Sequence, residues 1–179
     1  MPTIISGDTG IDKIAAGAIE KADLPTGSVL QVVSVTKTDV FSSSSSTAIA
    51  VTGLAATITP SSASSKIMVM INFNTGGDTS TANCDYYFYR NGSLITGAIG
   101  DASGSEQRSA AHYDPSVVRM GHPFIISYLD SPASTSAQTY QLYQKSQSGG
   151  YTFYINRSQT QDGNTGRTIS TITLMEIAA

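Results

Sequence analysis

From Gly27 onward, apolar and polar residues alternate with a period of two through much of the chain, the spacing of strands that bury one face. The clearest run sets Ile67, Val69, Ile71 and Phe73 between Lys66, Met68, Met70 and Asn72. Further strands are predicted over 28–37, 47–51, 54–59, 84–90, 93–95, 124–129, 139–144, 151–155 and 168–177. Turn-forming residues separate them: Thr52-Gly53, the Ser-rich Pro60 to Ser65, Asp130-Ser131-Pro132, Gly149-Gly150 and Asp162-Gly163-Asn164. Asn91-Gly92 between two strand-like runs predicts a type I′ hairpin, because both central residues of that turn need positive φ. The Ser42–Ser46 tract and the polar stretch 97–115 are predicted to be mostly loop, and His122 before Pro123 to open a strand. No helical period lies between the strands, which excludes a parallel α/β sheet. The predicted fold is all-β, an antiparallel jelly-roll-like sandwich spanning 27–179.

Residues 1–26 follow a different pattern. Ile11, Ile14, Ala15, Ala18 and Ile19 share one helical face, Thr9 can cap its start, and Pro25 ends any helix at or before Leu24. Gly10 and Gly17 each weaken such a helix by about 1 kcal/mol relative to Ala. A helix this short is marginal by itself in water. The segment therefore reads as an attachment arm, either a short helix held by a partner or an extended strap. Ile4, Ile5, Ile11, Ile14, Ile19 and Leu24 are its candidate anchors.

Several strands carry apolar or aromatic residues at consecutive positions: Tyr86 to Tyr89, Phe124 to Ile126 with Tyr128 and Leu129, and Ile172 with Leu174, Met175 and Ile177. A solitary sandwich needs one buried face per strand. A second apolar face points to burial between copies, and a homotrimer is predicted. The candidate interface residues are Tyr87, Tyr89, Ile125, Leu129, Leu174 and Ile177.

Composition narrows the chemistry. Charged residues make up 13% of the chain, against about 25% in ordinary soluble domains, and Ser and Thr together supply roughly a quarter. The net charge is −3, and the ten Lys and Arg are scattered singly, so no nucleic-acid partner is expected. The single cysteine, Cys84, excludes an intrachain disulfide and reads as a small core residue. No apolar stretch approaches the ~18 residues of a membrane span, and Met1 to Ile5 lack the pattern of a signal peptide. Asp8-Thr9-Gly10 matches the aspartic-protease triplet, but the flanking Gly7 and Ile11 do not, and a turn or helix cap is the expected role. His112 and His122 have no partner at metal-ligand spacing. A triad of His112, Asp114 and a serine can be written only because serines are so many. Asp162-Gly163-Asn164 lacks the other ligands of a calcium loop. The expectation is a non-enzymatic protein with no catalytic residues, metal or cofactor. Its tyrosines and Ser/Thr-rich loops suit contact with sugars or protein surfaces.

Words along the chain also resemble a known group. Gly7-Asp8-Thr9-Gly10-Ile11-Asp12-Lys13-Ile14 and Pro25-Thr26-Gly27-Ser28-Val29-Leu30-Gln31-Val32-Val33 are similar to the opening of small fibre-like virion proteins of aquatic and cyanobacterial phages. The resemblance continues through Val51-Thr52-Gly53-Leu54, Ile58-Thr59-Pro60-Ser61-Ser62, Ser64-Ser65-Lys66-Ile67 and Tyr128-Leu129-Asp130-Ser131-Pro132. It closes on Ser170-Thr171-Ile172-Thr173-Leu174-Met175-Glu176-Ile177. The strand order is also similar to the trimeric jelly roll of the C1q and tumour-necrosis-factor type. The resemblance implies a structural protein on the virion surface, with itself and the phage major capsid protein as partners. A capsid decoration (cement) protein is favoured, since the chain carries no long coiled-coil or β-helical shaft. The alternative is a tail-fibre or receptor-binding knob, held by tail-fibre or baseplate components, whose loops over 97–119 meet host-surface glycans.

The break at Pro25-Thr26-Gly27 generates a test. A protein beginning at Gly27 is expected to keep the β-type circular dichroism and cooperative melting of the full chain while losing attachment to the particle. Loss of folding would make the arm part of the core, and undiminished attachment would make the sandwich the anchor.

Overall fold

The structure is a computed structural model that describes residues 19–115 and 121–179. Two antiparallel sheets face each other. Sheet A holds β1 (Val29–Lys37), β2 (Phe41–Ser43), β4 (Lys66–Gly77), β8 (His122–Asp130), β10 (Phe153–Ile155) and β11 (Ser170–Ile177). Sheet B holds β3 (Ile49–Ile58), β5 (Cys84–Arg90), β6 (Ser93–Leu94), β7 (Ala111–Tyr113) and β9 (Gln138–Ser146). The strands pair as a nested ribbon, β1 with β11, β3 with β9, β4 with β8 and, innermost, β5 with the short β7. Alternate pairs fall in alternate sheets, which is the jelly-roll arrangement predicted from the sequence.

Period-two alternation places one side of every long strand between the sheets. In β4 these are Ile67, Val69, Ile71 and Phe73, all essentially without solvent contact. They meet Ile172 and Leu174 of β11 in their own sheet, and Val51, Leu54, Ile58, Tyr86, Phe88, Tyr140 and Leu142 of sheet B in one cluster. An aromatic group of Phe73, Tyr86, Phe124, Tyr113 and Phe153 fills one end, with tilted, stacked and edge-on ring pairs.

The sequence-predicted turns and strands hold with instructive differences. Asn91 and Gly92 have φ of 49° and 77°, as a type I′ turn demands. Thr52-Gly53 does not end a strand: β3 runs through it with a register shift between Ala50 and Ala55, and Gly53 takes φ of 78° at that bulge. Within the Ser-rich tract, Phe41 to Ser43 form a short strand against β10, because Phe41 packs on the core. Ala111 to Tyr113, inside the predicted loop, pair with β5 for the same reason: Tyr113 is buried. The arm anchors Ile4, Ile5, Ile11 and Ile14 lie outside the described residues, as does all of the predicted helical face except Ile19. Of its neighbours, Lys21–Asp23 form one 3-10 turn, in which the Glu20 amide donates to Asp23 Oδ2 at 2.8 Å.

Polar contacts pin the rims where the apolar core ends. Arg90 of β5 donates to Asp130 of β8 at 2.5 Å, and the buried Tyr140 hydroxyl of β9 donates to the same carboxylate at 2.7 Å, tying sheet B to sheet A. Tyr86 donates to Thr75 Oγ1 across the sheets, and Thr75 in turn donates to the Tyr154 carbonyl at 3.0 Å. Asn156, buried at φ of 67°, donates to the carbonyls of Lys37 and Asp39 and accepts from Ser170 Oγ at 2.6 Å. It thereby fastens the β1–β2 corner to the β10–β11 corner. At the opposite rim Glu176 is fully buried, accepting from Gln31 Nε2, the Ser61 amide and Ser61 Oγ, each at 2.6 Å.

Burial alone raises the pKa of the Glu176 carboxyl. The hydrogen bonds from Ser61, Gln31 and Ser65 outweigh it and hold the group at about 2, below its ordinary 4.5. A carboxylate depressed in the folded state stabilises fully above the unfolded pKa, and this stability is lost as pH falls through the folded one. Thermal melting is therefore expected to weaken as the pH drops from about 4.5 toward 2. Glu176→Gln is expected to lower neutral-pH stability by about 1–3 kcal/mol and to flatten that acid limb. Unchanged melting of the variant at neutral pH would contradict the assignment.

Candidate functional site

The strands of sheet A that bury one side present the other to solvent, and the register aligns those outward residues into rows. Val32 of β1 lies opposite Met175 of β11, Met175 opposite Met68 of β4, and Met68 opposite Leu129 of β8. One apolar row thus crosses four strands from edge to edge. On one flank come Val29, Ile177 and Lys66; on the other, Ser34, Thr173, Met70 and Ser127, then Thr36, Thr171, Asn72 and Ile125. Lys66 is the one charged side chain in these four rows. Ile125 is 73% exposed, Val32 56% and Leu129 42%. Methionine and β-branched residues make this face adaptable and apolar, a composition suited to a protein contact rather than to chemistry.

The interface candidates read from the sequence divide among three places. Ile125, Leu129 and Ile177 lie on this face. Tyr87 and Tyr89 lie on the outer face of sheet B, on the far side of the molecule, where Tyr89 stacks on Tyr143 with ring centroids 3.7 Å apart. Leu174 is a correction: it points between the sheets with no solvent exposure, so it belongs to the core, and its outward neighbour is Met175. Val32, Met68 and Met70 are face residues that apolar counting by strand passed over, and Met175 was counted in its strand without being chosen as an interface candidate. Their signal was present in the alternation itself, since the supposedly polar side of 66–72 contains two methionines.

The remaining candidates are equally specific. Ile19 is 56% exposed, and Leu24 borders a groove of about 360 Å³ with Leu30, Ser61, Ser65 and Ala178 where the chain enters the sandwich. Cys84 is buried between the sheets as expected, and burial pushes its thiol well above the ordinary range, away from thiolate chemistry. His122 opens β8 with its ring 4.8 Å from that of Phe124. His112 meets Asp85 at 2.9 Å rather than Asp114. Asp162 accepts from the Asn164 amide, making a turn. Among the described residues no group of three or more His, Cys, Asp or Glu side chains could hold a metal ion.

Compared with known proteins, the chain matches no family model, and no curated protein matches it.

The division of residues between core and face has different energetic consequences. Leu174→Ala is expected to cost about 2–5 kcal/mol of stability, as cavity formation in a closed core does. Ile125→Ala is expected to change the stability of the isolated subunit by no more than about 0.5 kcal/mol. Denaturant unfolding of the two variants checks both values. Equal costs would contradict the placement of either residue.

Proposed function

We propose that this protein is a non-enzymatic structural component of a bacteriophage particle. In this reading it assembles as a homotrimeric knob through the outer face of sheet A and decorates the capsid. The observation that carries the proposal is the row Val32–Met175–Met68–Leu129, set on a face whose rows hold one charge. A second copy can approach such a face without like-charge repulsion, and exclusion of its methionines and branched side chains from water drives the contact. Four strands at about 4.8 Å spacing and eight residues at about 3.3 Å rise give roughly 500 Å² of plane.

The row reaches both edge strands of the face. Ile125 and Leu129 on β8 can therefore meet Val29 and Val32 on β1 of the next copy, a head-to-tail contact whose smallest closed ring is a trimer. The resemblance to fibre-like virion proteins gives the knob its setting, with residues 1–26 gripping the major capsid protein.

Sedimentation at micromolar concentration is expected to give a trimer, and Met68→Glu combined with Val32→Glu a folded monomer with unchanged circular dichroism. A monomeric wild type would overturn the assembly. Particles that carry the protein are expected to release DNA at a higher temperature than particles that lack it, because a ligand bound only to the closed shell stabilises that shell. Unchanged release together with lost adsorption to the host would replace the decoration reading with a tail-fibre knob.

A further inference from the structure

Asp85 stands at an outward position of sheet B and yet has no solvent exposure. Its register partners are His112 on β7 and Lys145 on β9. His112 Nδ1 lies 2.9 Å from Asp85 Oδ1, and Gln147 Nε2 donates to Asp85 Oδ2 at 3.2 Å. Two side chains are thus held in fixed orientations by one buried carboxylate. Above them opens a cleft of about 440 Å³ lined by Ser105, Glu106, Gln107, His112 and Gln147, a size within the range of small-molecule sites. We infer that this cleft binds a saccharide, a hydroxyl-rich ring without negative charge.

The hydrogen-bonding inventory selects that class. With Nδ1 turned to Asp85, the His112 ring keeps Nε2 for a hydrogen bond to a ligand. Gln147 spends its amide nitrogen on Asp85, which leaves Oε1 without a partner among the described residues. Glu106 adds a carboxylate. Gln107 accepts from Lys145 Nζ at 3.4 Å, so its own NH2 remains a donor. Ser105 supplies a hydroxyl that can play either part. The lining joins acceptors to donors, with the Glu106 carboxylate among them. Sugar hydroxyls donate and accept from one atom, and planar amide or carboxylate groups take adjacent hydroxyls in pairs. An anionic ligand would have to approach the Glu106 carboxylate on the cleft wall.

Sheet B's outer face lies opposite the apolar face of sheet A. The inference rests on the proposed assembly only in that a trimer closed on sheet A displays these clefts outward. The test is saturation-transfer NMR and calorimetry on the full chain with methyl α-glucoside, methyl α-galactoside, glucosamine and glucuronate as probes. At least one neutral or amino sugar is expected to bind saturably, with glucuronate at least tenfold weaker. His112→Ala and Gln147→Ala are each expected to weaken binding at least tenfold while leaving melting within a few degrees. The sheet A variant Met68→Glu is expected to bind as the wild type does, which separates failure of this site from failure of the assembly. Absence of binding by all four probes, undiminished binding by both cleft variants, or preference for glucuronate would overturn the inference. So would saturable spermidine or Ca²⁺ binding with no sugar bound, which would make the cleft a cation site.

Discussion

The structure depends on the ladder that joins its first long strand to its last. Val29 to Lys37 pairs with Ile177 to Ser170 in antiparallel register, and every other long pair nests inside that closure. Because the two strands are separated by most of the chain, their pairing fixes the order in which all the others must stack. It also fixes the phase of every side chain. A slip of one residue between β1 and β11 would exchange Val33 and Val35 for Val32 and Ser34 across the sheet and carry Glu176 out of its socket. Register is therefore held at both rims by groups with specific geometry: Glu176 with Ser61 and Gln31 at one, Asn156 with Lys37, Asp39 and Ser170 at the other.

The usual distribution of polarity is locally inverted. Asp130, Glu176, Lys37 and Asn156 are buried at the ends of the sandwich, while Val32, Met68, Met175 and Leu129 stand outside it on sheet A. The buried polar groups are tolerable because each has partners; an unpaired carboxylate in the Glu176 position would cost several kcal/mol. The external apolar row has no such internal compensation. A strand offers two independent faces, so the inner side can build a core while the outer side is composed for contact with something else. The proposed trimer follows from this independence, and it leaves the outer face of sheet B, with its Asp85–His112 pair, for a separate task.

Much of the fold was legible in the sequence because long strands announce themselves twice, by alternation and by the turns that bound them. The run from Ile67 to Phe73 and the Asn91-Gly92 hairpin are of this kind. Three-residue strands such as Phe41–Ser43 and Ala111–Tyr113 carry too few alternations to register, and they exist because one aromatic residue in each finds a place in the core. The outward face was only partly legible. Counting apolar residues along a strand cannot assign them to a side, which is how Leu174 was chosen beside Ile177 in place of Met175 and how Met68 and Met70 were passed over. The contact between Asp85 and His112 was not legible at all: 27 residues separate them, and only the β5–β7 register makes them neighbours.

The central claim is that the outer side of sheet A is buried between copies in the assembled protein. The chain has five methionines, of which Met68 and Met175 lie in the apolar row and Met70 beside it. Relaxation of their methyl protons by a soluble paramagnetic agent measures water access directly. The methyls of Met68 and Met175 are expected to be shielded in the wild-type assembly and to become strongly relaxed in the dissociated Val32→Glu protein. Equal, strong relaxation of both methyls in the wild type and the variant would contradict the account.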